Sequence, residues 1–510
     1  MYKQMSRMVI TLCIRNIVFI IKKNKENDEL VFCYWPVGVF LGSLVVTIGV
    51  YYATLHYAFQ FDDVANIVQN FYLRHARLSE LFWFGSRHSA RWISIWLNSW
   101  YYMLDGIQPF WYRVGSVTLH IINGVALFFA TSLFCSSFSK TSFEYCWRWH
   151  IASWAGALFL LHPVQTQTVM YVIQSELEGL ALCATLLIII FFFLREGAST
   201  LVVRRIMTGM VFLMTFISSG TKEIAIIAPV LLVIVDWFFI SRGSVNQVWK
   251  KRWFYGLLFI FVFCMYFYLL KPAFFKKLLN FGHCAHNNVG NILTSDTSSS
   301  ITSWMYCISQ WKVILHYLWI FIYPFSLSVD YDFKIAAGFF CPDVIIPLFV
   351  LGALFVWIVQ RLRHHAHDPY VFGLIWFFVA LAPRSTFIPS AELVADYKTY
   401  MASCGLCIFC ALWIMSIIRS VLIRITGLVR TNTIARTSIC LQGLVVGGLA
   451  LLSSQRNNVW SSGLALWGDA MSKAPRKARV YNNYGAALSQ NYQRYEESIP
   501  YFLRAIDLDG

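Results

Sequence analysis

Apolar runs of bilayer length recur along this chain, and no other feature restricts its fold as much. The first, residues 31–55, exceeds the roughly 20 apolar residues needed to cross a hydrocarbon core. In lipid every backbone N–H and C=O must be satisfied internally, which leaves helices and closed barrels. The runs are continuous, without the period-two alternation of a barrel strand, so the expected class is all-α: a polytopic membrane helix bundle. The 58% hydrophobic and 13% charged residues agree, since a soluble domain carries about 25% charged residues. A net charge of +16 could suggest nucleic acid. Most Lys and Arg fall between apolar runs, however, so the excess reads as topology and lipid-headgroup contact, with no nucleic-acid partner. The thirteen cysteines lie mostly inside apolar segments and read as buried membrane residues, not a zinc site or a disulfide framework. Cys284 and Cys341 fall in candidate loops where a bridge could form.

The basic residues set a topology. Lys3, Arg7, Arg15, Lys22, Lys23 and Lys25 place the N-terminal segment, residues 1–30, in the cytoplasm. Its apolar stretch 8–21, broken by Arg15, reads as an interfacial amphipathic helix. About eleven spans are expected: 31–55, 113–133, 151–161, 177–194, two short spans that meet at 218–223 and end at Asp236, then 254–270, 344–359, 371–381, 404–418 and 439–452. Segment 304–323 is expected to be re-entrant or to lie on the outer surface. Only then do Arg361, Arg363, Arg419, Arg424, Arg430 and Arg436 all fall in the cytoplasm. The membrane domain thus covers 31–453, with external loops at 56–110 and 271–303. The first loop carries helical periodicity at Val64, Ile67, Val68 and Phe71, and again at Trp92, Ile95, Trp96 and Trp100. Residues 454–510 turn polar and form an external unit of a linker helix and an amphipathic helix pair. Tyr481, Tyr484, Gly485 and Leu488, then Ser498, Ile499, Phe502 and Ala505, approach the tetratricopeptide pattern, with one residue extra near Tyr492.

Charges beside spans mark candidate sites, because they are expensive there. Asp62 and Asp63 are adjacent carboxylates just past the first span; they either cap the helix that starts near Val64 or do chemistry. Lys222 and Glu223 sit between two short spans, where they either pair with each other or serve a ligand. Arg91, Arg384, Glu392 and Lys398 fall in external segments. His162 precedes Pro163 at a helix end, where a structural role is the commoner one. Glu176 and Glu178 fit a pocket or an interface equally well. No metal-ligand cluster is visible, so neither a metal nor another cofactor is expected.

Several segments in order resemble one family: Phe61-Asp62-Asp63, then Arg91 and Asn98, His162-Pro163 through Thr166, Lys222-Glu223 with Asp236-Trp237, residues 327–332, residues 383–392, and the terminal helix pair. Together they are similar to the transmembrane and tetratricopeptide-repeat protein O-mannosyltransferases and their bacterial relatives. The chain departs from that family in two places. Gln174-Ser175 stands where members often have Arg, and Asp396-Tyr397-Lys398 stands where they often have Glu-His-Arg. The resemblance implies the GT-C fold and a polyprenyl- or dolichyl-phosphate sugar donor, mannose-like. It also implies a protein Ser/Thr acceptor, and a multi-pass protein of a bacterial inner membrane or the endoplasmic reticulum with its site on the periplasmic or lumenal side.

The difficult group in such a transfer is the acceptor hydroxyl, which must lose a proton as it attacks. Asp62 is the expected base, with Asp63 orienting it. Arg91, His162, Lys222, Glu223, Arg384, Glu392 and Lys398 are the expected donor-phosphate and substrate residues. The competing expectations are a GT-C transferase acting on a lipid or glycan, and a membrane scaffold that presents the repeat to a protein partner. A transporter would call for symmetry-related internal repeats, and none is visible.

Overall fold

The computed structural model describes residues 27–70, 73, 91–279, 302–387, 389–390, 392–427, 431–491 and 493–509. The amphipathic segment expected at 8–21, most of the loop expected at 271–303, and Cys284 lie outside them. Among the described residues every regular element is helical. The principal helices are α1 (Asn27–Tyr52), α2 (Trp92–Asp105), α3 (Pro109–Ser136), α4 (Arg148–Leu161), α5 (Leu180–Glu196), α6 (Leu201–Ser219), α7 (Ala228–Val235) and α8 (Arg252–Leu279). There follow α9 (Ser303–Ile322), α10 (Pro342–His364), α11 (Pro369–Leu381), α12 (Tyr400–Thr426), α13 (Thr431–Val459), α14 (Gly463–Lys473), α15 (Ala478–Ala486) and α16 (Tyr495–Asp509).

Eight helical stretches among the described residues are long and apolar enough to cross a membrane: Trp35–His56, Pro109–Ser136, Val172–Glu196, Leu201–Ser219, Glu223–Ile240, Pro342–His364, Asp396–Thr426 and Thr431–Val459. The remaining three of the expected spans fall on α4, α8 and α11. Helix α4 has 14 residues and α11 has 13, while α8 runs 28 residues with its apolar part over Arg252–Phe267. At 1.5 Å per residue, α4 reaches about 21 Å of a roughly 30 Å core. It stops at His162 because Pro163 cannot continue the hydrogen-bond ladder.

The connecting segments gather at two ends. At one end the Arg242 guanidinium donates to Ser137 O at 2.9 Å, Gly243 lies against Ala366, and Arg361 pairs with Asp368 at 2.6 Å. The first loop, the His162 turn, the 219–223 turn, the 382–399 segment and the C-terminal helices meet at the other. Helix α9 is one unbroken helix of 20 residues, not a hairpin that dips and returns. Along its length it touches this second end. The Tyr306 hydroxyl donates to Arg384 O, the Tyr317 hydroxyl donates to Ala395 O, and His162 Nε2 donates to Phe321 O.

Lipid tails give helices no hydrophobic reason to associate, so small residues and polar contacts hold such bundles together. At the crossing of α11 and α12, Gly373 and Gly405 face each other's carbonyls so closely that any side chain on either would collide. Inside the bundle His120 bonds Tyr400 at 2.9 Å and Leu160 O at 3.0 Å, while the Asn123 amide donates to Gly179 O at 3.0 Å. Trp154 donates to Ser438 at 3.0 Å, tying α4 to α13.

The C-terminal segment forms α14, followed by the pair α15 and α16. Gly485 lets the Phe502 ring approach α15, and Tyr484 packs on Tyr501 with ring centroids 4.6 Å apart. The chain leaves α15 through a π-helical turn, Ala487–Asn491.

Candidate active site

The site is built on the chain leaving α1. Arg113, fully buried near the start of α3, spends its guanidinium on backbone carbonyls: Tyr57 O at 2.6 Å, Ala58 O at 2.7 Å and Met170 O at 3.1 Å. It therefore binds the first loop to the turn after His162. Three residues on, Phe61 takes φ = 57°, a left-handed conformation that is a true outlier for so bulky a side chain. That turn sends the two carboxylates to opposite environments.

Asp63 is completely buried and accepts the N–H groups of Ile173 at 2.9 Å and Val172 at 3.3 Å. Burial raises its carboxyl to about 7, against the bonds from Ile173 and Val172 and the nearby charge of Arg113, which favour the ionised form. Asp62 is exposed, and its backbone N–H donates to Tyr171 Oη at 3.2 Å. The cap expected at Val64 is absent, for neither carboxylate caps the short π-helical turn Val64–Val68. Of the first surface helix expected in this loop, Phe71 lies outside the described residues; Trp92–Asp105 forms where the second is expected.

The segment after Tyr171 supplies the charges. In a helix, positions i and i+2 point about 200° apart. Glu176 and Glu178, in the π-helical turn Ser175–Gly179, accordingly face different partners. Glu176 accepts from the Ser94 hydroxyl and the Asn98 amide, both at 2.5 Å, and so docks α2 on the bundle. Glu178 Oε1 accepts from Lys222 Nζ at 2.6 Å and from Arg384 Nη2 at 2.5 Å. One carboxylate thus faces two cations, leaving a positive excess. Arg384 Nη1 is buried with no hydrogen-bond partner among the described residues. Lys222 Nζ also donates to Gln174 Oε1 at 2.7 Å and lies 4.8 Å from the centre of the Tyr397 ring. Burial pulls the Lys222 ammonium down to about 8 although Glu178 opposes it. Arg384 is also penalised by burial, yet Glu178 holds it above its ordinary value.

Lys222 and Glu223 do not pair with each other. Lys222 turns inward to Glu178, whereas Glu223 turns outward to Arg91 at 3.3 Å, both about half-exposed. Glu392 accepts from the Tyr397 hydroxyl at 2.6 Å, and Lys398 donates to the Glu392 carbonyl and to Ser390 Oγ at 3.2 Å. Tyr171 and Tyr397 meet edge to face with centroids 6.4 Å apart, so two rings join the Asp62 turn to the cation cluster. His162 stands apart. Its Nε2 donates to Phe321 O at 2.8 Å, its Nδ1 accepts from Val164 N at 3.2 Å, and its ring stacks on Phe321. With both nitrogens engaged, it fastens the end of α4 to α9. Among the described residues no group of three His, Cys, Asp or Glu side chains is placed to hold a metal ion.

Several residues of this site carry no signal in the sequence. Arg113 reads as the first residue of a span, and Tyr171 and Tyr397 as two of 26 tyrosines. Gln174 is the informative one: with Ser175 it stands where members of the resembled family often have Arg, and its side-chain carbonyl receives Lys222.

No protein-family model and no curated protein matches the chain. Among solved structures, that of ArnT from Cupriavidus metallidurans bound to undecaprenyl phosphate aligns with 93% of this chain and 75% of its own, at 12% identity and a TM-score of 0.41. A likeness of that quality says nothing about the chemistry of the residues gathered here.

Proposed function

We propose that the protein is a membrane glycosyltransferase of the GT-C class, with Asp62 as base and the Lys222–Arg384 cluster as the seat of a lipid-phosphate sugar donor. The observation that carries this reading is the pairing of an exposed carboxylate with a buried cation excess at one end of the bundle, joined through Tyr171 and Tyr397. An acceptor oxygen attacks the anomeric carbon, the bond to the phosphate oxygen breaks, and its electron pair leaves with the phosphate. Asp62 takes the hydroxyl proton. The single in-line displacement inverts the anomeric centre. Lys222, Arg384 and Lys398 are assigned the developing phosphate charge, which fixed cations in a dry site stabilise without reorganising. Arg91 and Glu223 bound the same turn.

The donor proposed is a polyprenyl- or dolichyl-phosphate sugar, mannose by resemblance of the motifs. The acceptor is a protein Ser or Thr hydroxyl, a choice supported by the C-terminal helices that stand beside Asp62 through the Phe61–Trp467 contact. With the N terminus in the cytoplasm and the first span crossing once, this reading assigns the Asp62 end to the outer, periplasmic or lumenal, side. The test is to incubate membranes holding the protein with a panel of radiolabelled polyprenyl-phosphate sugars. Label should reach protein from at least one of them; label that enters only lipid or glycan rejects the protein acceptor, and no transfer from any donor rejects the enzyme.

A further inference from the structure

Phe61 holds a backbone conformation that a bulky residue keeps only when its surroundings over-determine it. Three groups surround its ring. Tyr171, from the membrane domain, meets it edge-on at 5.7 Å. Trp467 of α14 lies at 5.4 Å, and the guanidinium of Arg479 on α15 is 5.9 Å from its centre. Two of the three therefore come from the C-terminal unit. We propose that this unit is a working part of the Asp62 site, with Trp467 and Arg479 as positioning residues that brace the left-handed turn presenting Asp62.

The brace is itself anchored. Arg479 Nε donates to Asp330 Oδ2 at 2.6 Å, and Lys477 pairs with the other oxygen of the same carboxylate. Lys473 Nζ reaches the Leu327 carbonyl at 2.6 Å. Asp330 is buried while Lys477 and Arg479 are only partly so, which makes it the fixed point from which Arg479 is aimed. Trp467 is buried on the inner face of α14 beside Leu466 and Ala470. Trp467 and Arg479 are the ring and cation contacts that the C-terminal unit makes to Phe61 among the described residues, and without them the chain would be freer to escape to an ordinary negative φ. That escape would rotate the next peptide and take the Asp62 N–H away from Tyr171 Oη. The C-terminal helices would then act on the reaction through the backbone of the base, without touching substrate.

This inference rests on the glycosyltransferase reading for its catalytic consequence but not for its mechanical one, and the experiment separates them. The full chain is prepared in lipid nanodiscs as wild type, Trp467→Leu, Trp467→Phe and Arg479→Met, with Leu503→Ala on the exposed face of α16 as reference. Backbone hydrogen exchange at residues 60–64 should rise roughly tenfold in Trp467→Leu and Arg479→Met. Turnover should fall by up to about 10²-fold with donor KM unchanged, because a small misplacement of a reacting group costs that much. Trp467→Phe should recover both, and Leu503→Ala should alter neither. Unchanged exchange at 60–64 in folded Arg479→Met, whose partly exposed side chain makes it the milder change, overturns the brace even if activity falls. Raised exchange in a protein whose wild type transfers no sugar keeps the brace and removes the enzyme.

Discussion

Tyr171 Oη accepts the backbone N–H of Asp62 at 3.2 Å, while the next carboxylate, Asp63, holds the two amides that follow Tyr171. Residues 62–63 and 171–173 are thus fastened by three hydrogen bonds across a gap of more than a hundred positions in the chain. The adjacent aspartates share a sequence motif but not a job: one is held at the surface, the other holds it there.

This division predicts opposite phenotypes. Asp62→Asn should lose about 10²–10⁴-fold in turnover, the usual worth of a general base, with donor binding and thermal stability intact. Asp63→Asn should instead lower stability by about 1–3 kcal/mol, since an amide nitrogen would face a backbone N–H it cannot accept. Thermal unfolding and initial rates on both variants check this; a stable, inactive Asp63→Asn would reverse the assignment.

Removing cations from the Glu178 cluster should act on the donor. A hydrogen bond to a charged group contributes about 1.5–3 kcal/mol, so Lys222→Met should weaken polyprenyl-phosphate binding roughly 10- to 100-fold. Glu178→Gln leaves Lys222 and Arg384 buried together without a counter-charge and should cost stability on the order of 3–5 kcal/mol. Calorimetric titration with polyprenyl phosphate and thermal unfolding of each variant are the measurements; equal donor affinity in wild type and Lys222→Met would make the cluster a structural ion network.

The same lysine gives a pH dependence. Its ammonium is pulled from 10.5 down to about 8, so it is charged below that value and neutral above it. Donor affinity should fall as pH rises through about 8, and Lys222→Arg, whose charge persists, should remove the fall. The stability linkage has the other sign. Between 8 and 10.5 the unfolded chain binds more protons than the folded one, so this group makes the fold more stable as pH rises. A loss of affinity that tracks unfolding would contradict the assignment.

Topology can be checked by cysteine labelling in a background with Cys284, of the expected external loop, and the exposed Cys146, Cys264 and Cys440 replaced by Ser. Gln490→Cys, exposed on the C-terminal unit, should react with an impermeant reagent in intact cells or sealed lumen-out vesicles. Arg424→Cys, exposed near the end of α12, should react only after permeabilisation. Labelling of both from one side would mean an even number of crossings where an odd number is proposed between them, or the reverse of the proposed orientation if the pattern is exchanged.

The sequence by itself determined the class of the protein and the places where its chain meets water. Continuous apolar runs admit only helices in lipid, and Lys and Arg lie between them, so the positions of α1, α3 and α12, though not their ends, and the polar C-terminal helices are legible without coordinates. It also singled out Asp62, Lys222 and Arg384, because charges beside spans are expensive wherever they end up. Only the tertiary structure decided who meets whom. Lys222 could have paired with Glu223, its neighbour; it reaches Glu178 instead, because the extended backbone at Lys222 sends successive side chains to opposite sides. His162 could have faced a ligand, but both of its nitrogens hold the bundle together. The helix count also had to wait, since apolar composition does not give length: α4 and α11 are apolar enough to expect as spans and too short to cross unaided. Arg113, Tyr171 and Trp467 were invisible for the same reason. Their roles lie in contacts between segments distant in the chain, and a local pattern carries no information about such contacts until the bundle closes.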